Sequence, residues 1–206
     1  MKRKIFVLLA FISLVTYSAA QELKIKELTN YYSGNWIVAG IIENTSEKTY
    51  QYVELGLTCF DSGKKIVHTV STYAFAPITP GSEIPFSFIT SPEDARGISS
   101  FTVSIDDFSI GGKGTFNYSI SKLTITEKNS TYVKYVGQIT NNNSELKKYV
   151  EIALLGFDES GKLVYFDTTY PSKSSLPSGG VSNFDFLVPP ERSGKIKTVK
   201  CIAYSD

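Results

Sequence analysis

The chain has 206 residues, with 21 Lys and Arg against 20 Asp and Glu and a formal net charge of +1. Three of the positive charges, Lys2, Arg3 and Lys4, stand at the N-terminus, so a chain that loses them carries 1 − 3 = −2; a weakly acidic protein with no run of Lys and Arg has no electrostatic reason to bind nucleic acid. With 13 Tyr, 13 Phe and an ordinary share of charge, the composition excludes a disordered chain and predicts a globular one.

Residues 1–20 read as a secretory signal peptide. Lys2-Arg3-Lys4 form the charged segment, Ile5 to Val15 the apolar one, and Ser18-Ala19-Ala20 place small residues before a cut at Gln21. The apolar run is short of the roughly 20 residues that span a bilayer, which favours a cleaved signal over a membrane anchor. The expected setting is therefore secreted or cell envelope, and the mature chain is expected not to span a membrane.

From Leu23 onward the apolar residues alternate. In Tyr52-Val-Glu-Leu-Gly-Leu-Thr-Cys-Phe60, Val53, Leu55, Leu57 and Cys59 share one face, the period of a half-buried strand. The pattern predicts strands over Leu23–Leu28, Asn35–Glu43, Tyr50–Phe60, Lys65–Tyr73, Ser82–Ile89 and Ser99–Ile105. Asn44-Thr-Ser46, Asp61-Ser-Gly63, Pro80-Gly81 and Ser91-Pro92-Glu93 supply the turns between them. The stretch Asp107 to Asn117, with Gly111, Gly112 and Gly114, reads as a linker, and its Phe108, Ile110 and Phe116 predict partial docking of what it joins.

Beyond the linker the chain repeats itself. Gly40 returns as Gly137, Tyr52-Val-Glu54 as Tyr149-Val-Glu151, Phe60-Asp61 as Phe157-Asp158 and Val67 as Val164, each 97 residues on (137 − 40, 149 − 52). One offset held across several segments marks duplication of a whole folding unit. Strands are predicted again over Ser119–Glu127, Tyr132–Thr140, Lys148–Phe157, Leu163–Thr169, Val181–Val188 and Ile196–Tyr204, with Val150, Ile152 and Leu154 inward. No segment shows helical spacing. The expected fold is all-β: two tandem antiparallel immunoglobulin-like β-sandwich modules over residues 21–106 and 118–206, joined by 107–117. Trp36, a candidate core aromatic, has Val133 as its counterpart, so the module does not require it.

At Leu57-Thr-Cys-Phe-Asp61 with Gly63, and at Leu154-Leu-Gly-Phe-Asp158 with Gly161, the chain resembles the FxLYD family of small extracellular β-sandwich modules, in two tandem copies. The aromatic–Asp–turn is kept. Leu replaces the first Phe in both copies, and Cys59 and Gly156 stand where the family has its central Leu. The late-embryogenesis-abundant type 2 sandwiches look similar. Either resemblance implies a fold and, for FxLYD, an extracellular setting rather than a reaction. Asp61 and Asp158 are expected to accept local backbone N–H groups, and Asn44 and Asn141 to shape turns.

Candidate chemistry is sparse. His68 is the only His, and its counterpart is Tyr165; a Ser–His–Asp or Cys–His arrangement has nothing else to draw on. Alternation sends Cys59 and Cys201 into different cores, which favours two free thiols over an inter-module disulfide. Asp106-Asp107 with Asp61 or Glu93-Asp94 could gather round calcium but lacks an EF-hand pattern, and a solvated acidic turn is the simpler reading. Four Asn-x-Ser/Thr sequons begin at Asn44, Asn117, Asn129 and Asn142, all expected in exposed turns. Tyr31, Tyr32, Tyr50 and Tyr52, with Tyr132, Tyr149 and Tyr170, are expected on outer faces that suit recognition of proteins or sugars.

The expectation is thus a non-catalytic secreted or cell-surface protein with a binding or structural role. It has no catalytic, cofactor-binding or metal residues, and its partner is a protein or glycan at the cell surface. The alternative is a small secreted enzyme or enzyme inhibitor acting through loops. Unpaired edge strands leave self-association open.

Overall fold

A computed structural model describes residues 22–112 and 117–205. The expected signal peptide, residues 1–20, and residues 113–116 of the expected linker lie outside them. The first half runs β1 (Leu23–Ser33), β2 (Asn35–Asn44), β3 (Tyr50–Phe60), β4 (Ile66–Tyr73), β5 (Glu83–Thr90) and β6 (Ser100–Ile110). These strands make two antiparallel sheets, ordered β1-β2-β5 and β4-β3-β6. The second half runs β7 (Tyr118–Ile120), β8 (Thr124–Lys128), β9 (Val133–Asn141), β10 (Lys147–Lys148), β11 (Glu151–Phe157), β12 (Leu163–Thr169), β13 (Ser175–Leu176), β14 (Val181–Val188) and β15 (Thr198–Tyr204). A four-residue helix α1 (Pro190–Ser193) precedes β15. The sheets here are β14-β9-β7, with β8 also on β9, and β12-β11-β15, beside a two-stranded ribbon of β10 and β13. The protein is all-β, as the alternation predicts, and no helix among the described residues is long and apolar enough to cross a membrane.

Each half closes its own core between two sheets. Val38, Ile42, Phe86 and Phe88 meet Val53, Leu55, Leu57 and Cys59 in the first, with Trp36 edge-on to Phe101. Val133, Ile139, Phe184 and Phe186 meet Val150, Ile152 and Leu154 in the second. The repeated glycine has a packing cause. A Cβ on Gly40 would lie 2.5 Å from the Phe86 ring, and one on Gly137 2.5 Å from the Phe184 ring, so both copies bring the tip of a phenylalanine ring against bare backbone.

Several boundaries differ from the sequence reading: β1 continues to Ser33 instead of ending at Leu28, and the expected strand Lys148–Phe157 breaks at Tyr149 and Val150. β6 continues through Asp107 to Ile110, because Asp107 pairs with Glu54, Ser109 with Gln51 and Ile110 with Tyr50; the joint is therefore shorter than 107–117. The segment Ser119–Glu127, read as one strand, divides into β7 and β8 around Ser121 to Leu123.

The alternation also breaks at one place in both copies. The β3–β6 register slips between Gln51 and Glu54, with Tyr52 at φ 50° and Tyr149, its counterpart, also at φ 50°. The bulge turns Tyr50 into the core along with Val53, whereas strict alternation puts them on opposite faces. Left-handed backbone strains a residue with a Cβ by about 1–2 kcal/mol. Replacing the exposed Tyr149 by Gly is expected to leave stability unchanged or raise it by up to about 1 kcal/mol, despite the flexibility glycine adds, as read by urea unfolding.

A third core lies between the halves. The outward residues Ala39 and Ile41 of β2 pack on Ala153 and Leu155 of β11, Leu163 and Phe166 of β12 and Tyr204 of β15, all buried. Phe75, from the loop after β4, stacks on Phe166 at 5.7 Å and on Tyr204 at 5.8 Å. The four larger sheets are thus stacked around three apolar layers, a far more extensive contact than partial docking through the linker.

Candidate functional site

The residues singled out from sequence do not converge. His68 is half-buried on β4, opposite Cys59. Cys59 is buried in the first core and Cys201 is half-buried against the second, both as free thiols. Burial pushes the Cys59 thiol up, and that of Cys201 up to about 12. Denaturing alkylation without reductant is expected to label both; a molecule that takes up no label would mean a bridge.

The acidic candidates are engaged locally. Asp61 Oδ1 accepts the backbone N–H of Gly63 and of Lys65, and Asp158 Oδ1 that of Ser160 and of Lys162, the turn role expected of them. Asp106 accepts from the Ser104 hydroxyl at 2.6 Å, Asp107 from the Phe108 N–H, and Asp94 from Ser91. Among the described residues no three His, Cys, Asp or Glu side chains gather as metal ligands would.

Of the aromatics expected outside, Tyr32, Tyr52, Tyr149 and Tyr170 are exposed, Tyr132 is half-buried, and Tyr31 and Tyr50 are buried. Asn44 is also a correction. Its side chain is fully buried and its amide donates to Lys48 O and Ile78 O, so this sequon offers no acceptor in the folded protein.

The polar groups that do converge lie at the junction of the halves. Tyr31, on β1, reaches across to the second core. Its hydroxyl donates to the carbonyl of Phe166 at 2.5 Å and accepts the Phe166 N–H at 3.3 Å, closing both free backbone groups of one residue on the edge strand β12. Burial pushes its phenol up to about 12. The Arg192 guanidinium of α1 lies 4.7 Å over the Tyr31 ring and donates to Tyr32 O. Tyr165 stands 5.6 Å from Tyr31, ring to ring, and donates to Asp167. At the opposite end Glu83 of β5 accepts from Lys26 at 2.6 Å and from Lys200 of β15 at 2.7 Å.

Burial holds the carboxyls of Asp167 and Glu151 above the usual range, while Lys200 and Lys26 hold Glu83 below it. A raised folded pKa withdraws stability at neutral pH and returns it as pH falls towards the unfolded value; Glu83 contributes in the opposite sense, its stabilisation fading as pH falls through its lowered pKa. Of these groups Tyr31, Arg192 and the Glu83–Lys200 pair bond across the two halves, whereas Asp167 and Glu151 bond within the second. Tyr31→Phe is expected to leave the Phe166 N–H and carbonyl unpaired and to lower stability by about 1–3 kcal/mol; a loss under 0.5 kcal/mol in urea unfolding would contradict that role.

Sequence reasoning missed this junction although the repeat carries a signal for it. Ile37, Ala39 and Ile41 correspond to Lys134, Val136 and Gln138, and Leu155 and Phe166 correspond to Thr58 and Thr69. The copies differ in apolarity on the faces that meet.

No family model matches the chain, and no curated protein matches it. Among solved structures it is similar to red sea bream transglutaminase at 11% identity and a TM-score of 0.28, over 90% of this chain and 29% of that one. It is similar also to the N-terminal CBM22-1-CBM22-2 tandem domain of Paenibacillus barcinonensis Xyn10C at 10% identity and a TM-score of 0.22, over 90% and 86% of the two chains. Scores this low carry nothing about fold or function.

Proposed function

We propose that this chain is a secreted or cell-surface, non-catalytic protein of two FxLYD-like, immunoglobulin-like modules, fastened into one rigid unit that binds a protein or glycan outside the cytoplasm. The observation that carries the reading is the third core. Apolar surface and buried hydrogen bonds at the junction are spent on holding two sandwiches in one orientation, which suits a unit that presents fixed surfaces. Tyr52 and Tyr149 are the best-placed recognition residues. They are 74% and 77% exposed and are held out by the same left-handed backbone in both copies, and exposed aromatic rings suit protein and sugar contacts.

The test probes a glycan array and a panel of surface proteins with the chain from Gln21 onward, beside its Tyr52→Ala/Tyr149→Ala form. A ligand whose retention falls at least about tenfold without the two rings supports the proposal. Reproducible turnover of a substrate, abolished by one polar substitution, overturns it in favour of a small secreted enzyme. N-terminal sequencing of the extracytoplasmic protein should begin at Gln21; a cytoplasmic protein retaining Met1 overturns the setting.

A further inference from the structure

Strands at sheet edges expose unpaired N–H and C=O groups, and proteins blunt them with charge, proline, bulges or cover. Most edges here are blunted. β1 carries Lys24, Lys26, Glu27 and a bulge, β5 carries Glu83 and Pro85, and β6 carries Asp106 and Asp107. β8 carries Glu127 and Lys128, β14 Asp185 and β15 Lys200. β4, Ile66-Val-His-Thr-Val-Ser-Thr-Tyr73, has no Asp, Glu, Lys, Arg or Pro. Its one irregularity is the register shift near Val67, at its start, so His68 to Tyr73 run straight.

The free side of β4 can be assigned residue by residue. Ala74 N–H donates to Val53 O, so in this register Thr72, Val70 and His68 bond to β3. Thr69, Ser71 and Tyr73 therefore direct their N–H and C=O groups away from β3, where among the described residues β4 has no neighbouring strand. The second copy shows what closing this position looks like. Phe166 is the counterpart of Thr69, and there the Tyr31 hydroxyl takes both backbone groups. Among the described residues no side chain takes the backbone groups of Thr69 in this way. A groove of about 410 Å³ lies beside it, with Val70, Ser71 and Thr72 on one side and Ile89 and Phe166 to Thr168 of β12 on the other.

We infer that β4 is a dimerisation edge, pairing antiparallel with β4 of a second copy of this chain about a twofold axis at Val70. This register sets Thr69 opposite the mate's Ser71 and His68 opposite its Thr72, and joins two three-stranded sheets into one of six. A second copy is the occupant the chemistry favours. An edge without Asp, Glu, Lys or Arg meets itself with no like-charge pair. The other long edges of this chain are charged or covered, so β4 meets β4, and an isologous contact closes as a dimer instead of growing into a filament.

The test is sedimentation equilibrium of the chain from Gln21 onward, between about 10 and about 500 µM, since dimer population follows concentration. The expected result is a monomer–dimer equilibrium whose dissociation constant rises at least about tenfold in Ser71→Lys, which places like charges at the twofold contact. Thr102→Lys, on the far strand of the same sheet, should leave it unchanged. Ser71 is exposed in the monomer, and an unchanged thermal melt at low concentration will show that the variant folds. A monomer at every concentration overturns the inference. So does a dimer that survives Ser71→Lys, or one weakened equally by Thr102→Lys.

Discussion

Replacing Leu155 and Phe166 together by threonine, the residue at both corresponding positions of the first copy, will split thermal unfolding into two transitions. Leu155 is completely buried and Phe166 nearly so, yet both point away from the second module's own core towards Ala39, Ile41 and Phe75. Thr58 and Thr69 show that a threonine at these places is compatible with a module's internal packing. The substitutions therefore strike the third core while sparing the first two. Large-to-small changes in buried apolar sites lower stability by about 2–5 kcal/mol each, and the two residues are neighbours, so their effects will not add. The natural chain should unfold in one calorimetric transition, because the modules share a buried layer and the Tyr31 bonds. The double variant should show two, with the individual modules retaining strand circular dichroism below the first. One unbroken transition, shifted by less than a degree or two, would mean that the third core does not couple the modules.

How much was legible in sequence follows from what sets each feature. Strand positions were, because a sheet with one buried face writes its burial as a period of two, and the inward set Val53, Leu55, Leu57 and Cys59 is buried as read. The turns at Asp61 and Asp158 were legible because their carboxylates act on N–H groups two and four residues away. The places that misled are those where a second partner intervenes. Tyr50 follows the alternation of its strand only until the bulge at Tyr52 shifts the phase. Tyr31 has a polar tip and sits among polar neighbours, so an outward reading is natural; its burial depends on Phe166, 135 residues away. In β11, Ile152-Ala-Leu-Leu155 forms an unbroken apolar run where the first copy has Leu55-Gly-Leu-Thr58. A run of that kind marks a strand covered on both faces, and the difference between copies, more than their likeness, points to the junction.

The largest single-residue effect is expected at the two repeated asparagines. Asn44 and Asn141 are both fully buried, and their bonds correspond almost one to one. The Asn44 amide donates to Lys48 O at 2.6 Å and to Ile78 O at 2.9 Å, while its Oδ1 accepts the Ser46 N–H at 2.9 Å. The Asn141 amide donates to Glu145 O and Leu176 O, both at 2.8 Å, while its Oδ1 accepts the Asn143 N–H at 2.9 Å. One side chain thus ties the turn after β2, or β9, to the segment that leads into β5, or β14. Alanine leaves two carbonyls and one N–H without these partners, each worth about 1–3 kcal/mol when buried. Asn44→Ala and Asn141→Ala should each lower stability by about 3–5 kcal/mol, a large fraction of what a domain of this size possesses. Aspartate is the sharper probe, since it fits the space and keeps the acceptor but loses both donors and buries a charge against two carbonyl oxygens. Asn44→Asp should therefore be at least as damaging as alanine at neutral pH and should recover in part as pH falls, because protonation removes the charge and restores one donor. Urea unfolding at pH 7 and pH 4.5 reads both effects. An Asn44→Asp chain equally stable to the natural one at pH 7 would mean that this amide does not hold the turn.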